Sequence, residues 1–298
     1  MTTETDSLSL GYYVVGFFDL LGQQDFLRNL RSLPEKNDKT ALAKTREDLK
    51  NTYGAVLRMR KLFSDTFDTY AQRKLPDAGL LTPAQQHIYS RMNNNPIRFQ
   101  GFSDSMVVFL SLRNTDEAKI HTRGILGIFA AAALTSIGSL AVGHPIRGGI
   151  DVGLGFQPST NEIYGPALSR TYTLESNVAN YPRIVVGEEL IRYLNETGAQ
   201  PATDEFSKMS IQVAANCIKC LAYDDDGIPF IDYLGPYFRT LIGDTAQDAS
   251  FIDKAYDQVI EFSTRYKTAK NSQLAFRYTL LRNYFEDRLP LWADLPRK

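Results

Sequence analysis

Two aspartates stand out in this 298-residue chain because each lies where an apolar segment meets a predicted turn. Asp19 follows residues 12–18, an almost uninterrupted apolar run that is typical of a fully buried strand. Asp104 lies within Gly-Phe-Ser-Asp-Ser (101–105), and the apolar residues on both sides predict a β-hairpin with Asp104 at its turn. Two carboxylates at the ends of adjacent strands make a hard oxygen site suited to Mg²⁺ or Mn²⁺.

Asp19 also has a second interpretation. A strand-end aspartate often caps the following helix, and residues 20–30 predict such a short helix. A lone buried carboxylate is costly unless it meets a cation or several donors. The local sequence favours the cap, and it is the second aspartate, Asp104, that favours a metal site.

The elements that must position both aspartates predict an α+β fold. Their order is strand, helix, long helical insertion (about 35–95), hairpin, helix, strand, helix and strand. Without the insertion this order begins β-α-β-β-α-β, the ferredoxin-like split unit. The first strand and the hairpin are neighbours in that unit, so Asp19 and Asp104 are expected to converge. Two amphipathic helices near the end predict a C-terminal helical extension over residues 241–298.

The composition is that of a soluble globular protein, with 43% hydrophobic and 22% charged residues. A formal net charge of −1 argues against a nucleic-acid scaffold, so we expect no nucleic-acid partner. The only two cysteines, Cys217 and Cys220, fit a reducing cytoplasm and are predicted to be structural. The polar, acidic start of the chain predicts no signal peptide, so the expected location is cytoplasmic.

One segment, residues 124–143, is uncharged and long enough to span a bilayer. Its glycines, serines and four consecutive alanines dilute its hydrophobicity, and its flanks offer little aromatic anchoring. We therefore predict a buried helix against a sheet or a partner subunit, and no membrane span.

Four motifs in order resemble the class III nucleotidyl cyclase catalytic domain. The resemblance covers roughly residues 12–235 and would make residues 10–240 the catalytic domain. The motifs are Phe-Phe-Asp-Leu-Leu-Gly (17–22), Phe-Ser-Asp (102–104), Arg-Gly-Gly-Ile-Asp-Val-Gly (147–153) and Ile-Tyr-Gly-Pro-Ala-Leu (163–168).

The resemblance implies a cytoplasmic homodimer with nucleotide sites at the subunit interface. Two Mn²⁺ or Mg²⁺ ions per site would be held by Asp19, Asp104 and the backbone carbonyl of Leu20. Phe18 and Gly22 would bind the nucleotide, with the backbone N–H groups at the start of the following helix offered to the triphosphate. The implied reaction is attack of the ribose 3′-hydroxyl on the α-phosphorus with loss of pyrophosphate.

The predicted base pocket departs from the family pattern. Adenylyl cyclases carry a lysine where this chain has Gln100, and their adenine-selective acid corresponds to Glu162. The asparagine and arginine that assist the transition state fall on Ser169 and Thr173. This chain therefore lacks the family's full set of purine-selecting residues. Gln100 can both donate hydrogen bonds to a pyrimidine edge and accept them from it.

The missing arginine leaves Arg170 as the candidate catalytic cation. It is one position on from Ser169, which rotates a helical side chain by about 100°. The alternative for Arg170, and for Arg183, is an ion pair with Glu175 or Glu162.

Three further segments are similar to the stand-alone bacterial pyrimidine cyclases of Pycsar anti-phage systems: residues 164–168, 174–175 and 181–186. This resemblance implies conversion of UTP or CTP to cyclic UMP or cyclic CMP, with uracil favoured, and a separate effector protein that the product activates. Two alternatives stay open. One is an adenylyl or guanylyl cyclase with an altered base pocket, and the other is a catalytically silent nucleotide-binding dimerisation module.

Overall fold

A seven-stranded sheet organises the described part of the chain. The computed structural model describes residues 10–22, 32–71, 97–114, 122–241 and 246–295, together with Pro83 and Gln86. Along the sheet the order is β2-β3-β1-β4-β5-β7-β6. The strands are β1 Leu10–Leu20, β2 Arg98–Phe102, β3 Ser105–Asn114, β4 Ile146–Phe156, β5 Ile184–Val186, β6 Leu221–Tyr223 and β7 Pro229–Ile231.

The first four strands have the ferredoxin-like arrangement. β1 lies between β3 and β4 and is antiparallel to both, and β2 pairs antiparallel with β3. This is the order that a β-α-β-β-α-β chain adopts. The predicted fold class, an α+β sheet with this core, is confirmed.

The described helices match the amphipathic segments of the sequence in most places. The predicted helix over residues 20–30 falls largely outside the described residues, and Leu20 itself ends β1. The helices are α1 Lys39–Ala71, α2 Arg123–Leu140, α3 Pro166–Thr173 (extended by a π-helical turn, Leu174–Val178), α4 Glu188–Gly198, α5 Glu205–Lys219, α6 Pro236–Leu241, α7 Ala246–Thr268 and α8 Ser272–Arg288.

The alternation of side chains along β1 separates two apolar layers. Val14, Phe18 and Leu20 join the large core beneath α1 and α2. Tyr13 and Phe17 point to the opposite face and pack in a smaller cluster with residues of β3 and α3. Asp19 follows the alternation of Phe17, so its carboxylate belongs to the smaller-cluster face.

Helix α1 packs on the sheet, although the sequence assigned it to an insertion. Its Phe63 is fully buried and lies against Phe18, with ring centroids 5.2 Å apart. Met59 and Phe67 are buried in the same layer. Among the described residues, α1 therefore occupies the position of the crossover helix between β1 and β2.

The uncharged segment forms α2, a buried helix as predicted. It meets the length and composition of a membrane span, but 72% of it is buried inside the protein. Its small residues permit close packing, since a Cβ at Gly127 would lie 3.0 Å from the Phe67 ring. The hydrophobic stretch is accounted for by the core.

The two C-terminal helices share this core. Phe262 of α7 and Phe285 of α8 belong to the same buried cluster as β1 and α2. The hydroxyl of Tyr284 accepts from the Leu234 N–H and donates to Asp232 just after β7. The Trp292 indole, fully buried beyond α8, donates to the Leu234 carbonyl at 2.8 Å.

The two cysteines form no disulfide and are buried at the end of α5. Burial raises the pKa of both thiols. Both therefore behave as apolar core side chains, as predicted.

Candidate active site

Asp19 and Asp104 lie at the meeting ends of β1 and β3. The antiparallel register pairs Asp19 with Ser105, the residue that follows Asp104. The N–H of Leu20 donates to the Asp104 carbonyl at 3.2 Å, which ties the end of β1 to the hairpin turn. Ser103 adopts φ +39°, the left-handed conformation that closes this tight turn. The structure thus brings together the two residues that the sequence predicts to be metal ligands.

The environment of Asp19 disfavours its negative charge. Burial raises the pKa of the Asp19 carboxyl to about 6, and the nearby Glu175 and Asp104 charges act in the same direction. A hydrogen bond from the Ser105 hydroxyl, at 2.7 Å, and the positive charge of Arg147 oppose this rise. The net rise in pKa means that the Ser105 hydroxyl and the Arg147 charge do not offset the cost of burying this carboxylate.

This donor set fits a hard divalent cation. Two carboxylates and the Leu20 carbonyl at a strand end are oxygen ligands of the kind that Mg²⁺ and Mn²⁺ prefer. Within the described ranges, no group of three or more His, Cys, Asp or Glu side chains that could hold a metal occurs. A cation held here would therefore complete its shell with water and ligand oxygens, as Mg²⁺ usually does at phosphate sites.

Arg147 is the cation beside Asp19, and sequence reasoning did not assign it a role. It faces Asp19 across the β1–β4 pairing, and its Nε donates to Glu175 at 2.7 Å. Glu175 is only 3% exposed and lies in the π-helical turn. The strand alternation around the Arg-Gly-Gly motif could have indicated that Arg147 lies on the face of Asp19. No sequence pattern indicates the π-helical turn that supplies its partner, Glu175.

Two glycines let helices approach the site closely. A Cβ at Gly149 would lie 2.5 Å from Leu174 Cβ and 2.8 Å from the Thr171 carbonyl. A Cβ at Gly101 would lie 2.5 Å from the guanidinium of Arg60, which donates to the Ser105 carbonyl at 3.1 Å. Arg60 of α1 therefore holds the hairpin that carries Asp104.

Phe18 and Leu20, two of the residues predicted to bind ligands, have their side chains in the large core. Leu20 can therefore contact a cation only through its backbone carbonyl. The Phe18 side chain is fully buried against Phe63 in the large core. The Leu20 side chain is 1% exposed in that core as well. Gly22 is exposed at φ +87°, a conformation that favours glycine, and it lines the cavity described below.

The predicted base-reading residues form a second group on the smaller-cluster face. Gln100 of β2 accepts from the Ile163 N–H through its side-chain oxygen at 3.2 Å. This bond sets Gln100 beside Glu162, whose side chain is exposed. Ser169 is exposed on α3, where its carbonyl accepts from the Thr173 hydroxyl.

Arg170 has a structural partner that sequence reasoning did not name. Its Nε donates to Asp151 at 2.9 Å, and its Nη2 donates to the Val152 carbonyl. Asp151 is 2% exposed and also accepts from the Leu190 N–H at the start of α4. Arg170 therefore joins α3 to β4 and α4. The alternative of an ion pair with Glu175 or Glu162 is replaced by the pair with Asp151, and Glu175 pairs with Arg147.

Arg183 likewise pairs with carboxylates other than those of Glu175 and Glu162. Its buried guanidinium pairs with Asp224 and Asp226 in the turn between β6 and β7. It also donates to the Ala179 and Val178 carbonyls. Arg183 thus fastens that turn to the π-helical segment and lies outside the Asp19 site.

A cavity of about 650 Å³ opens beside Asp19, within the range of small-molecule sites, roughly 300–1,000 Å³. Its walls come from the end of β1, the start of β4, α1, and both C-terminal helices. Its charged or polar lining includes Asp19, Arg58, His144, Arg147, Arg265, Tyr266 and Arg277. Arg58, Arg265 and Arg277 were not predicted, because tertiary packing alone brings these three helices to one place.

A smaller, more apolar cavity of about 390 Å³ lies between α1 and the hairpin turn. Asp104 and Tyr53 of α1 are among its lining residues, and Thr52 lines both cavities. Asp19 thus lines a basic cavity and Asp104 an apolar one.

No family model matches the sequence, and no curated protein does. Three solved structures are similar in fold. The guanylyl cyclase domain of the RhoGC fusion protein from the aquatic fungus Blastocladiella emersonii has 9% identity and a TM-score of 0.36, covering 75% of this chain and 95% of that one. The catalytic core of a rhodopsin-guanylyl cyclase with converted specificity, in complex with ATPαS, has 11% identity and a TM-score of 0.31, covering 61% of this chain and 79% of that one.

A bacterial light-regulated adenylyl cyclase has 11% identity and a TM-score of 0.33, covering 70% of this chain and 97% of that one. Identities of 9 to 11% and TM-scores below 0.4 do not establish a family. Membership of the class III cyclases therefore stays a prediction from the sequence motifs.

Proposed function

We propose that this protein is a divalent-metal-dependent nucleotidyl cyclase, which converts a nucleoside triphosphate to a 3′,5′-cyclic nucleotide and pyrophosphate. The observation that supports the proposal is that Asp19 and Asp104 lie at neighbouring strand ends, where Asp19 lines a basic cavity. When bound there, a pair of Mg²⁺ or Mn²⁺ ions would activate the ribose 3′-hydroxyl and neutralise charge on the phosphates.

The chain's own residues prepare this site. Ser105 and the Leu20 N–H fix the relative position of the two aspartates, and Arg60 holds the hairpin. Arg147 is kept beside Asp19 by Glu175. Such preorganisation is what positioning and electrostatic catalysis of phosphoryl chemistry require.

The finer proposal is a pyrimidine substrate, with UTP favoured over CTP. Gln100 already accepts a hydrogen bond from Ile163, so the side chain presents mainly its NH₂ donors. A donor suits the O4 acceptor of uracil better than the N4 amine of cytosine. The cyclic UMP so formed would act as a second messenger in anti-phage defence by activating a separate effector protein.

A homodimer would form on the face of the sheet that carries α3. Phe102, Tyr164 and Tyr172 are large aromatic residues with 47 to 66% of their surface exposed there. Exposed aromatic residues of this kind are enriched at protein interfaces. The base pocket would be completed by the partner subunit.

The second candidate function is a nucleotide-binding module without catalysis. It is favoured by Arg170, whose guanidinium is committed to Asp151 and the Val152 carbonyl. No other cation is predicted at the transition-state positions, where this chain has Ser169 and Thr173. Triphosphate binding without release of pyrophosphate would support this candidate.

The test is to incubate the purified protein with Mn²⁺ and each of the four nucleoside triphosphates, and to identify products by mass spectrometry. We expect a cyclic pyrimidine nucleotide, with activity lost in Asp19→Asn and Asp104→Asn because each loses a metal-binding charge. Asp68→Asn is the matched control, since Asp68 is an exposed carboxylate on α1 away from the site. Turnover retained in both site variants excludes the mechanism, and a cyclic purine product excludes the pyrimidine assignment.

A further inference from the structure

We propose that the two C-terminal helices supply the phosphate-binding wall of the active site, with Arg265, Arg277 and Arg58 binding the triphosphate chain of the substrate. This inference rests on the proposed function, because it takes the ligand to be a nucleoside triphosphate. It assigns a substrate-binding role to the helical extension, which had none.

The positions of the three arginines support the proposal. Arg265 lies in the last turn of α7, Arg277 lies in the first half of α8, and Arg58 lies in α1. All three line the same cavity as Asp19, Leu20 and Gly22. The cavity therefore joins the proposed metal ligands to three guanidinium groups from three different helices.

The described residues do not balance the positive charge of this cavity. Within the described ranges, Arg58, Arg265 and Arg277 form no ion pair, whereas Arg147 is neutralised by Glu175. Asp19 is the one carboxylate of the described lining. Guanidinium groups that share a cavity repel one another, and a multiply charged anion relieves that repulsion while accepting bidentate hydrogen bonds.

Two aromatic neighbours restrict the Arg265 side chain. The Arg265 guanidinium lies over the rings of Phe262 and Tyr266, with its carbon 4.7 and 4.9 Å from their centroids. It also donates to the Tyr266 hydroxyl at 3.1 Å. A stacked guanidinium keeps a fixed orientation and loses less entropy when it binds an anion.

The make-up of the cavity's lining also suits a phosphate chain. It combines residues 19–22, which include two of the proposed metal ligands, with arginines of α1, α7 and α8. A triphosphate whose α-phosphate lies near Asp19 would direct its outer phosphates toward Arg265 and Arg277. Arg58, on the α1 wall, would contact the chain from the side.

The experiment measures binding of inorganic tripolyphosphate by calorimetry to the full chain, without and with Mn²⁺. Charge-assisted hydrogen bonds of this kind are worth about 1.5–3 kcal/mol, so we expect Arg277→Gln and Arg58→Gln each to weaken binding by at least about tenfold. Lys267→Gln is the matched control, because Lys267 is an exposed cation on α7 that does not line the cavity. Circular dichroism and thermal unfolding verify that each variant is folded, and Arg58, on a separate helix, keeps the test decisive if Arg277→Gln does not fold.

Activity measurements separate this inference from the proposed function. We expect the arginine variants to raise the KM for the nucleoside triphosphate more than they change kcat. Equal tripolyphosphate affinity in wild type and both arginine variants overturns the phosphate wall, even if the wild type makes a cyclic nucleotide. Selective loss of tripolyphosphate binding in those variants, without any cyclic product from the wild type, supports the wall and overturns the cyclase.

Discussion

The replacement Asp19→Asn tests the electrostatic reasoning at the site without depending on catalysis. Because each tenfold change in proton affinity is worth about 1.4 kcal/mol, a rise in the Asp19 pKa from 3.8 to about 6 corresponds to about 3 kcal/mol against the ionised folded state. Asparagine keeps the shape and the Ser105 hydrogen bond but carries no charge. In metal-free protein at pH 8 we therefore expect the variant to be more stable than wild type by up to about 3 kcal/mol.

The pH dependence has a defined sign. Below about pH 4 the carboxyl is protonated in both the folded and the unfolded state, so it does not affect stability. Between about pH 4 and 6 the unfolded chain loses this proton first, and the stability of the wild type falls as pH rises. The advantage of Asp19→Asn should thus be complete above pH 6 and less than half as large at pH 4.5.

Urea unfolding in the presence of a chelator, at pH 4.5 and pH 8, measures this difference. Adding Mn²⁺ at pH 8 should stabilise the wild type and leave Asp19→Asn nearly unchanged, because bound cation offsets the carboxylate charge. Asp68→Asn, the exposed control on α1, should follow wild type throughout. Equal unfolding free energies of wild type and Asp19→Asn at pH 8, or a difference that does not shrink on acidification, would falsify the argument.

Two further predictions concern the scaffold. Gly149→Ala should destabilise the protein by about 2–4 kcal/mol in chemical denaturation, because its Cβ would lie 2.5 Å from Leu174 Cβ. Gly198→Ala is the control, since its new Cβ meets no atom within 4 Å, and similar unfolding free energies for both variants would contradict this packing. Arg183→Met should cost about 3–5 kcal/mol, because it leaves Asp224 and the Ala179 carbonyl without their buried partner. If chemical denaturation shows a much smaller loss of unfolding free energy, solvent must stabilise the charges of Asp224 and Asp226 in place of Arg183.

Much of the fold follows from local patterns in the sequence. The apolar run before Asp19 and the hairpin around Asp104 predicted strands of the central sheet. The order of the elements predicted that the first strand and the hairpin are neighbours in that sheet. The strand expected after the small-residue helix is β4, which contains the glycine-rich motif at residues 147–153. These features depend on residues close in sequence.

The parts that sequence reasoning missed depend on tertiary packing. The amphipathic pattern of α1 gives its helical structure but not its place on the sheet, which is fixed by contacts such as that of Phe63 with Phe18. The ion pairs of Arg147, Arg170 and Arg183 were not predicted, since each partner lies at least 19 positions away. Helix propensity likewise gives no indication that α7 and α8 reach the Asp19 cavity.

The shared core of the sheet and the C-terminal helices has a consequence for biosynthesis. Domains generally fold as units, so a core shared by both ends of the chain is completed only after its last helix is made. β1 and the hairpin, with both aspartates, are made long before Arg265, Arg277 and Trp292. The cavity that Asp19 lines is therefore completed only after α7 and α8 have been translated and have docked.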